Sequence, residues 1–183
     1  MDNTTDIDEA QVEEPAALHD ALLGQLSHLV EEVEALRSVV DPLPDQIKSG
    51  RPAPDALTMK ELYGAIATLD AEVRGSRITQ MAEGTEPTFD PIDVDDLVRE
   101  EGWNERPMDA ILDTVQDARR TLVEQLEALP LETWHHTATL DGESLTLFDL
   151  VHNITQADTE RLRDLGYRLH GAHLSEGDKP LPS

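Results

Sequence analysis

The stretch 144-SLTLFDLVHNITQADTERLRDLGYRL-169 decides the fold. Leu147, Leu150, Val151, Ile154, Leu162, Leu165 and Leu169 fall on one face of a 3.6-period helix. At about 100° per residue, Asp158 lies near the centre of that face, with Arg161 to one side. A carboxylate on a core stripe costs several kcal/mol unless it is paired or hydrogen-bonded. A second stretch repeats the pattern. Met59, Leu62, Tyr63, Ile66, Leu69 and Val73 form a stripe on which Asp70 and Arg77 also lie. Two helices each point an acid and an arginine inward. This predicts either a buried ion-pair network or a polar pocket in which Arg161 holds an anionic ligand and a carboxylate orients it.

Two more amphipathic segments complete a bundle. Leu22, Leu26, Leu29, Val33, Leu36 and Val40 are spaced 4-3-4-3-4 in a helix expected from Pro15 to Val40. Ile111, Val115, Ala118, Leu122 and Leu126 form the inward face of a helix from Pro107 to Leu129. Thr58 with Glu61 three residues on is a capping box that opens the second helix, which is expected to end near Gly84. Ser144 or Thr146 caps the fourth. Residues 41–56 read as a Pro-rich connection with one short turn near Gln46. Residues 85–107 are long for a connection, hold a short helix at about Val94–Glu101, and are placed to lid a pocket. Asp141-Gly142 marks a tight turn. No strong strand pattern is present, and Thr137–Leu140 is ambiguous. The expected class is all-α, a four-helix bundle with a long connection between helices 2 and 3. Residues 1–14 are expected as a disordered acidic tail, 15–171 as the bundle and 172–183 as a loose tail.

The 183 residues suit one domain with a full core. They hold 39 acids against 14 bases, of which only Lys48, Lys60 and Lys179 are lysines, and the net charge is −25. Such a field repels nucleic acid and anionic membranes, and no basic patch is visible. Acidity with almost no lysine fits a high-salt host, where self-repulsion is screened; an acidic decoy for a basic partner is the other use of such a surface. There is no cysteine, so disulfides, thiolate ligands and a cysteine nucleophile are excluded, which fits a cytoplasmic protein. No run of about 18 apolar residues occurs, and the acidic start lacks the apolar stretch of a secretory signal. No P-loop, Gly-rich dinucleotide turn or Ser-His-Asp arrangement is present.

The order of short words along the chain is informative. Arg51-Pro-Ala-Pro precedes Leu57-Thr-Met-Lys-Glu-Leu at the start of helix 2. Trp103-Asn-Glu-Arg-Pro-Met precedes helix 3, Leu126-Glu-Ala-Leu-Pro-Leu-Glu-Thr-Trp134 ends it, and Leu145-Thr-Leu-Phe-Asp-Leu-Val opens helix 4. From about residue 15 to 170 this series resembles the DinB-like (damage-inducible) superfamily, which includes bacillithiol transferases and the N-terminal domain of mycothiol-dependent maleylpyruvate isomerase. Leu57 stands where that family often has Trp. The resemblance implies a four-helix bundle, often dimeric. It also implies a divalent metal held by one His from helix 2 and two His four residues apart on helix 4. The matching positions are Ala65, Ala157 and Arg161, with Asn153 one turn earlier. An alanine has no lone pair to donate, and an arginine brings positive charge to a cation's place.

His152 is the candidate for a displaced ligand, yet its neighbour Asn153 is the one on the inferred register, and one residue is about 100° of rotation. His135 and His136 are adjacent in a loop, His19 and His28 share no face, and His170 and His173 sit near the end of the last helix. The residues of interest are therefore Asp70, Arg77, Asn153, Asp158 and Arg161. The expected function is a DinB-like bundle without its metal-ligand histidines, serving as a ligand- or protein-binding or structural module. It needs no cofactor, forms a homodimer and takes at most a small anionic ligand. The alternative is a metal-dependent (zinc or nickel) thiol S-transferase or hydrolase with a displaced site at Asp70, His152 or Asp158.

The charge balance predicts salt stabilisation. At about 1 M salt the screening length falls to roughly 3 Å, so self-repulsion in the compact state fades. The melting temperature should rise between low and molar sodium chloride. A flat or falling curve contradicts this, and a parallel series in sulfate separates screening from the general salting effect on apolar burial.

Overall fold

A computed structural model of the chain describes residues 5–177, with side-chain surroundings for residues 14–173. Helix α1 spans Thr5–Val40, followed by the short α2, Asp45–Lys48. Helix α3, Met59–Thr68, runs without a break through a π-helical segment, Leu69–Arg74, into α4, Gly75–Ala82. Then come α5 (Val94–Glu100), α6 (Met108–Glu127) and α7 (Leu147–Gly177). The composite helix packs with α1, α6 and α7 as a four-helix bundle, with α6 between α1 and α3. Among the described residues, no helix is long and apolar enough to cross a membrane.

Several boundaries differ from the sequence expectation. Helix α1 starts at Thr5, so residues 5–14, expected as an acidic tail, carry helical backbone. Ala10, Gln11, Glu13 and Glu14 are good or tolerable helix formers, and Pro15 inside the helix removes one bond of the ladder without ending it. Likewise α7 runs to Gly177, into the segment expected to be loose. Residues 1–4 and 178–183 lie outside the described residues. A small sheet is also present. Strands β2 (Thr137–Leu140) and β3 (Glu143–Thr146) form an antiparallel hairpin, and β1 (Thr88–Phe89) pairs with β2 in parallel. Asp141 and Gly142 both have positive φ, 51° and 80°, as a two-residue type I′ hairpin turn requires. Thr146, at the end of β3, caps α7: its hydroxyl accepts from Asp149 N at 3.2 Å, and the Asp149 carboxylate accepts from Thr146 N at 2.8 Å.

The capping box at α3 forms as its spacing predicts. Thr58 Oγ1 accepts from Glu61 N at 3.1 Å, and Glu61 accepts from Thr58 N at 2.9 Å. Glu61 also receives Asn104 Nδ2 at 2.9 Å and both terminal nitrogens of Arg51 at 2.6 and 2.7 Å. Every residue of α3 is buried. The long connection after α4 is therefore a wall of the core rather than a lid. Val98 and Trp103 are buried, and Trp103 Nε1 donates to Thr68 Oγ1 at 3.2 Å beneath the Arg106 guanidinium, 4.0 Å from its ring.

The core falls into two apolar clusters. One gathers Leu29, Val33, Tyr63, Ile66, Leu112, Val115 and Leu165; the other gathers Leu22, Leu26, Ile78, Leu122, Trp134, Phe148 and Ile154. On all four helices the switch between them falls at corresponding levels: between Leu26 and Leu29, Ile66 and Ile78, Val115 and Leu122, and Ile154 and Leu165. Asp70, Arg119 and Asp158 lie in three of those gaps.

Gly64 gives a direct test of how the connection seats. A Cβ there would stand 2.4 Å from Trp103 Cδ2, inside contact distance. Gly64→Ala should therefore lower stability by about 1–3 kcal/mol through overpacking, despite alanine's better helix propensity. Urea unfolding measures it; a neutral or stabilised variant would show that the Trp103 ring moves freely aside.

Candidate functional site

The two stripes converge in a buried ion cluster. Asp70 Oδ1 accepts from Arg74 Nη1 at 2.6 Å, and Asp70 Oδ2 accepts from Arg119 Nε at 2.7 Å. Asp158 Oδ1 accepts from Arg74 Nη2 at 2.8 Å, and Asp158 Oδ2 accepts from Arg119 Nη2 at 2.5 Å. Two guanidiniums thus alternate with two carboxylates, linking the π segment, α6 and α7. All four residues are at most 6% exposed. Burial alone would push the Asp158 carboxyl up, but the charges of Arg74 and Arg119 outweigh it and hold it below the usual carboxylate range. Burial likewise opposes the charge on Arg119, and Asp70 and Asp158 more than offset it.

Asp70, Asp158 and Arg161 stand where the stripes place them, but the first arginine is Arg74, not Arg77. The π segment explains the change. Its wider turn advances the chain by less than the α-helical angle per residue, so Arg74 comes back above Asp70 and Arg77 rotates off the face. Arg77 instead donates to the Asp90 carbonyl at 2.7 Å and lies 5.2 Å from the Phe89 ring centroid. Arg119 was legible in principle: Val115, Arg119, Leu122 and Leu126 are spaced 4-3-4, and Arg119 fills the seam position for which Ala118 was expected. Asn153 and His152 are both exposed and outside the cluster. Ala65 is fully buried and Ala157 half-buried.

Arg161 touches the cluster from the flank. Its Nη1 is 3.8 Å from Asp158 Oδ1 and buried, with no hydrogen-bond partner. Burial, then repulsion from Arg74, lower its pKa, while Asp158, Asp95 and Glu160 oppose the shift. On the other flank of α7, a cleft of about 630 Å³ opens between α1 and α7. Gly24, Gln25 and Glu32 line one wall, Thr159 lines the other, and Arg119 and Asp158 form the floor. This volume suits a small molecule. Among the described residues, no group of three His, Asp or Glu side chains is placed to hold a metal ion.

The cluster yields two predictions. Arg119→Met removes one of the two bridging cations, leaves Arg74 alone against two buried carboxylates, and should cost about 3–5 kcal/mol in urea unfolding. The acid response follows from Asp158. Its folded pKa is depressed, so the stability it contributes is complete above the unfolded carboxylate value of about 3.9 and is lost as pH falls through the folded value. Melting temperature should drop as pH falls below about 4, with a shallower slope in Asp158→Asn; equal slopes would place the acid sensitivity elsewhere.

No family model and no curated protein matches the chain. Among solved structures it is similar to one described as "YfiT from Bacillus subtilis is a probable metal-dependent hydrolase with an unusual four-helix bundle topology". The TM-score is 0.61 at 15% identity, over 81% of this chain and 87% of that one. At that identity the likeness concerns the fold alone, and the chain shares the four-helix-bundle fold of that structure.

Proposed function

We propose that this chain is a metal-independent binding module on a DinB-like bundle, and that a small molecule occupies the cleft between α1 and α7. The observation that carries this reading is the floor of the cleft, where the charged pair Arg119–Asp158 closes a space of about 630 Å³. A sizeable cleft with convergent polar groups and shifted ionisable residues is the default binding site. The residues at the positions inferred for metal ligands do not fit a divalent cation. Ala65 is sealed in the core, Ala157 has no donor, and Arg161 is a cation. The carboxylates of Asp70 and Asp158 are already used by guanidiniums. Homodimerisation, implied by the resemblance, belongs to the same reading, and light scattering on the purified protein tests it.

A second reading is an enzyme of the metal-dependent hydrolase or thiol-transferase kind. It is favoured by the description of YfiT and by the shared fold. It requires a metal site displaced from the inferred positions, because His152 is exposed and lies on a different face of α7 from Asp158.

Elemental analysis separates the two. The purified protein should carry no stoichiometric zinc, nickel or manganese. Added zinc should also give no stabilisation of the kind a folded-state ligand brings, about 2.7 kcal/mol at a hundredfold excess over Kd. One metal per chain overturns the first reading. The cleft itself is tested at Gly24, where a Cβ meets nothing within 4 Å. Gly24→Phe should fill the cleft while leaving the melting temperature equal or higher, since Gly is the poorer helix former. Small polar fragments that bind the wild type by ligand-observed NMR should lose binding in this variant. Retained binding would move the site elsewhere.

A further inference from the structure

The α1–α7 cleft carries an ordered set of donors and acceptors. Thr155 and Thr159 line it on α7. Thr155 Oγ1 donates to the His152 carbonyl at 2.7 Å, and Thr159 Oγ1 donates to the Thr155 carbonyl at 2.8 Å. Each hydroxyl hydrogen is spent on the helix, so towards a ligand each oxygen acts as an acceptor. Arg119 supplies the opposite function at the floor. Its Nε and Nη2 donate to the two carboxylates, whereas Nη1 is left with the Leu26 carbonyl at 3.5 Å, the limit of hydrogen-bond length. Gln25 and Gln156 stand exposed at the mouth, and among the described residues neither amide has a hydrogen-bond partner. Each offers both a donor and an acceptor.

The charge at the cleft is set by its floor. Arg74 and Arg119 face Asp70 and Asp158, two against two, with every carboxylate oxygen bonded. A charged ligand therefore finds no free counter-charge in the depth of the cleft. At the mouth Glu32 is 43% exposed, with His28 Nε2 at 3.8 Å. Glu32 repels an anion, while an exposed pair with a cation there adds at most about fivefold in affinity. Resting on the reading of this cleft as a ligand site, we propose that its occupant is a small uncharged polyol of sugar size. A hydroxyl both donates and accepts, so one accepts from Arg119 Nη1 while its neighbours donate to Thr155 and Thr159. Leu26, Leu29 and Leu162 give the C–H faces of such a molecule an apolar surface. A carboxylate, which only accepts, would satisfy Arg119 and leave both threonine oxygens facing lone pairs.

The test compares three sugars that share the glucose ring: glucose, glucuronate and glucosamine, which are neutral, anionic and cationic at about pH 6. Binding to the full chain is followed by saturation-transfer NMR at a constant ionic strength of about 0.5 M, so that screening of the acidic surface is fixed. Wild type should bind glucose saturably, glucosamine within about fivefold of it, and glucuronate at least about tenfold more weakly. Gly24→Phe should abolish glucose binding. Thr155→Val with Thr159→Val keeps the side-chain shapes and nearly the same helix propensity, and should weaken glucose at least about tenfold with little change in melting temperature. Thr159→Val alone, at an exposed position, maintains the test if the double variant fails to fold. If other fragments lose binding in Gly24→Phe while glucose shows no saturable response, or if glucuronate matches glucose, the proposal is overturned and the cleft remains a ligand site. Glucose binding that ignores the threonine substitutions also overturns it. If no fragment, glucose included, distinguishes Gly24→Phe from wild type, the proposal and the cleft reading fall together.

Discussion

Asp70 and Asp158 are tolerated in the middle of the bundle because every carboxylate oxygen meets a guanidinium nitrogen of Arg74 or Arg119. That requirement acts on three helices at once. Arg74 reaches from the π segment to α7, and Arg119 reaches from α6 to both. Such a layer adds little net stability over an apolar one of the same volume, but losing one member is severe. Sliding α6 or α7 by one residue would turn its charged side chain by about 100° and strand its partners. The same slide would turn the apolar residues of that helix out of the two clusters, so the charged layer and the clusters specify one axial register together.

The fold was legible in the sequence where periodicity is strong. Four stripes, the Thr58 capping box and the Asp141-Gly142 turn each state a local geometry, and together they describe the bundle. The two buried acids were legible for the same reason, since a charge in an apolar stripe stands out. Their partners were harder to read. Arg74 is hidden by the π turn, because an α-helical wheel applied to Leu69–Arg74 assigns the inward position to Arg77. Arg119 is followed by Arg120, which is exposed, and a paired arginine reads as surface. The hairpin was obscured by its shortness: four residues a strand carry too few alternations to declare a period.

The acids and arginines give the centre of this bundle a polar character that a purely structural core does not require. On one flank of α7 the polarity is open to a cleft, with the cluster fully bonded beneath it. On the other it ends in Arg161, whose bonding is incomplete. The π segment supplies both Asp70 and Arg74, and π turns recur where a helix must present side chains out of regular phase. The irregularity of the helix and the polarity of the layer are thus one feature seen twice.

Helix α3 is buried on every side, from Met59 to Thr68, and Trp103 closes over the bare backbone of Gly64. This has a kinetic consequence. These residues are the first part of the composite helix, and they have no solvent-facing side on which to wait for their neighbours. Their amides gain protection only when α6, α7 and the connection carrying α5 and Trp103 have all docked. The segment before α6 is therefore part of the cooperative folding unit, and the α3 amides exchange with solvent at the rate set by opening of the whole bundle.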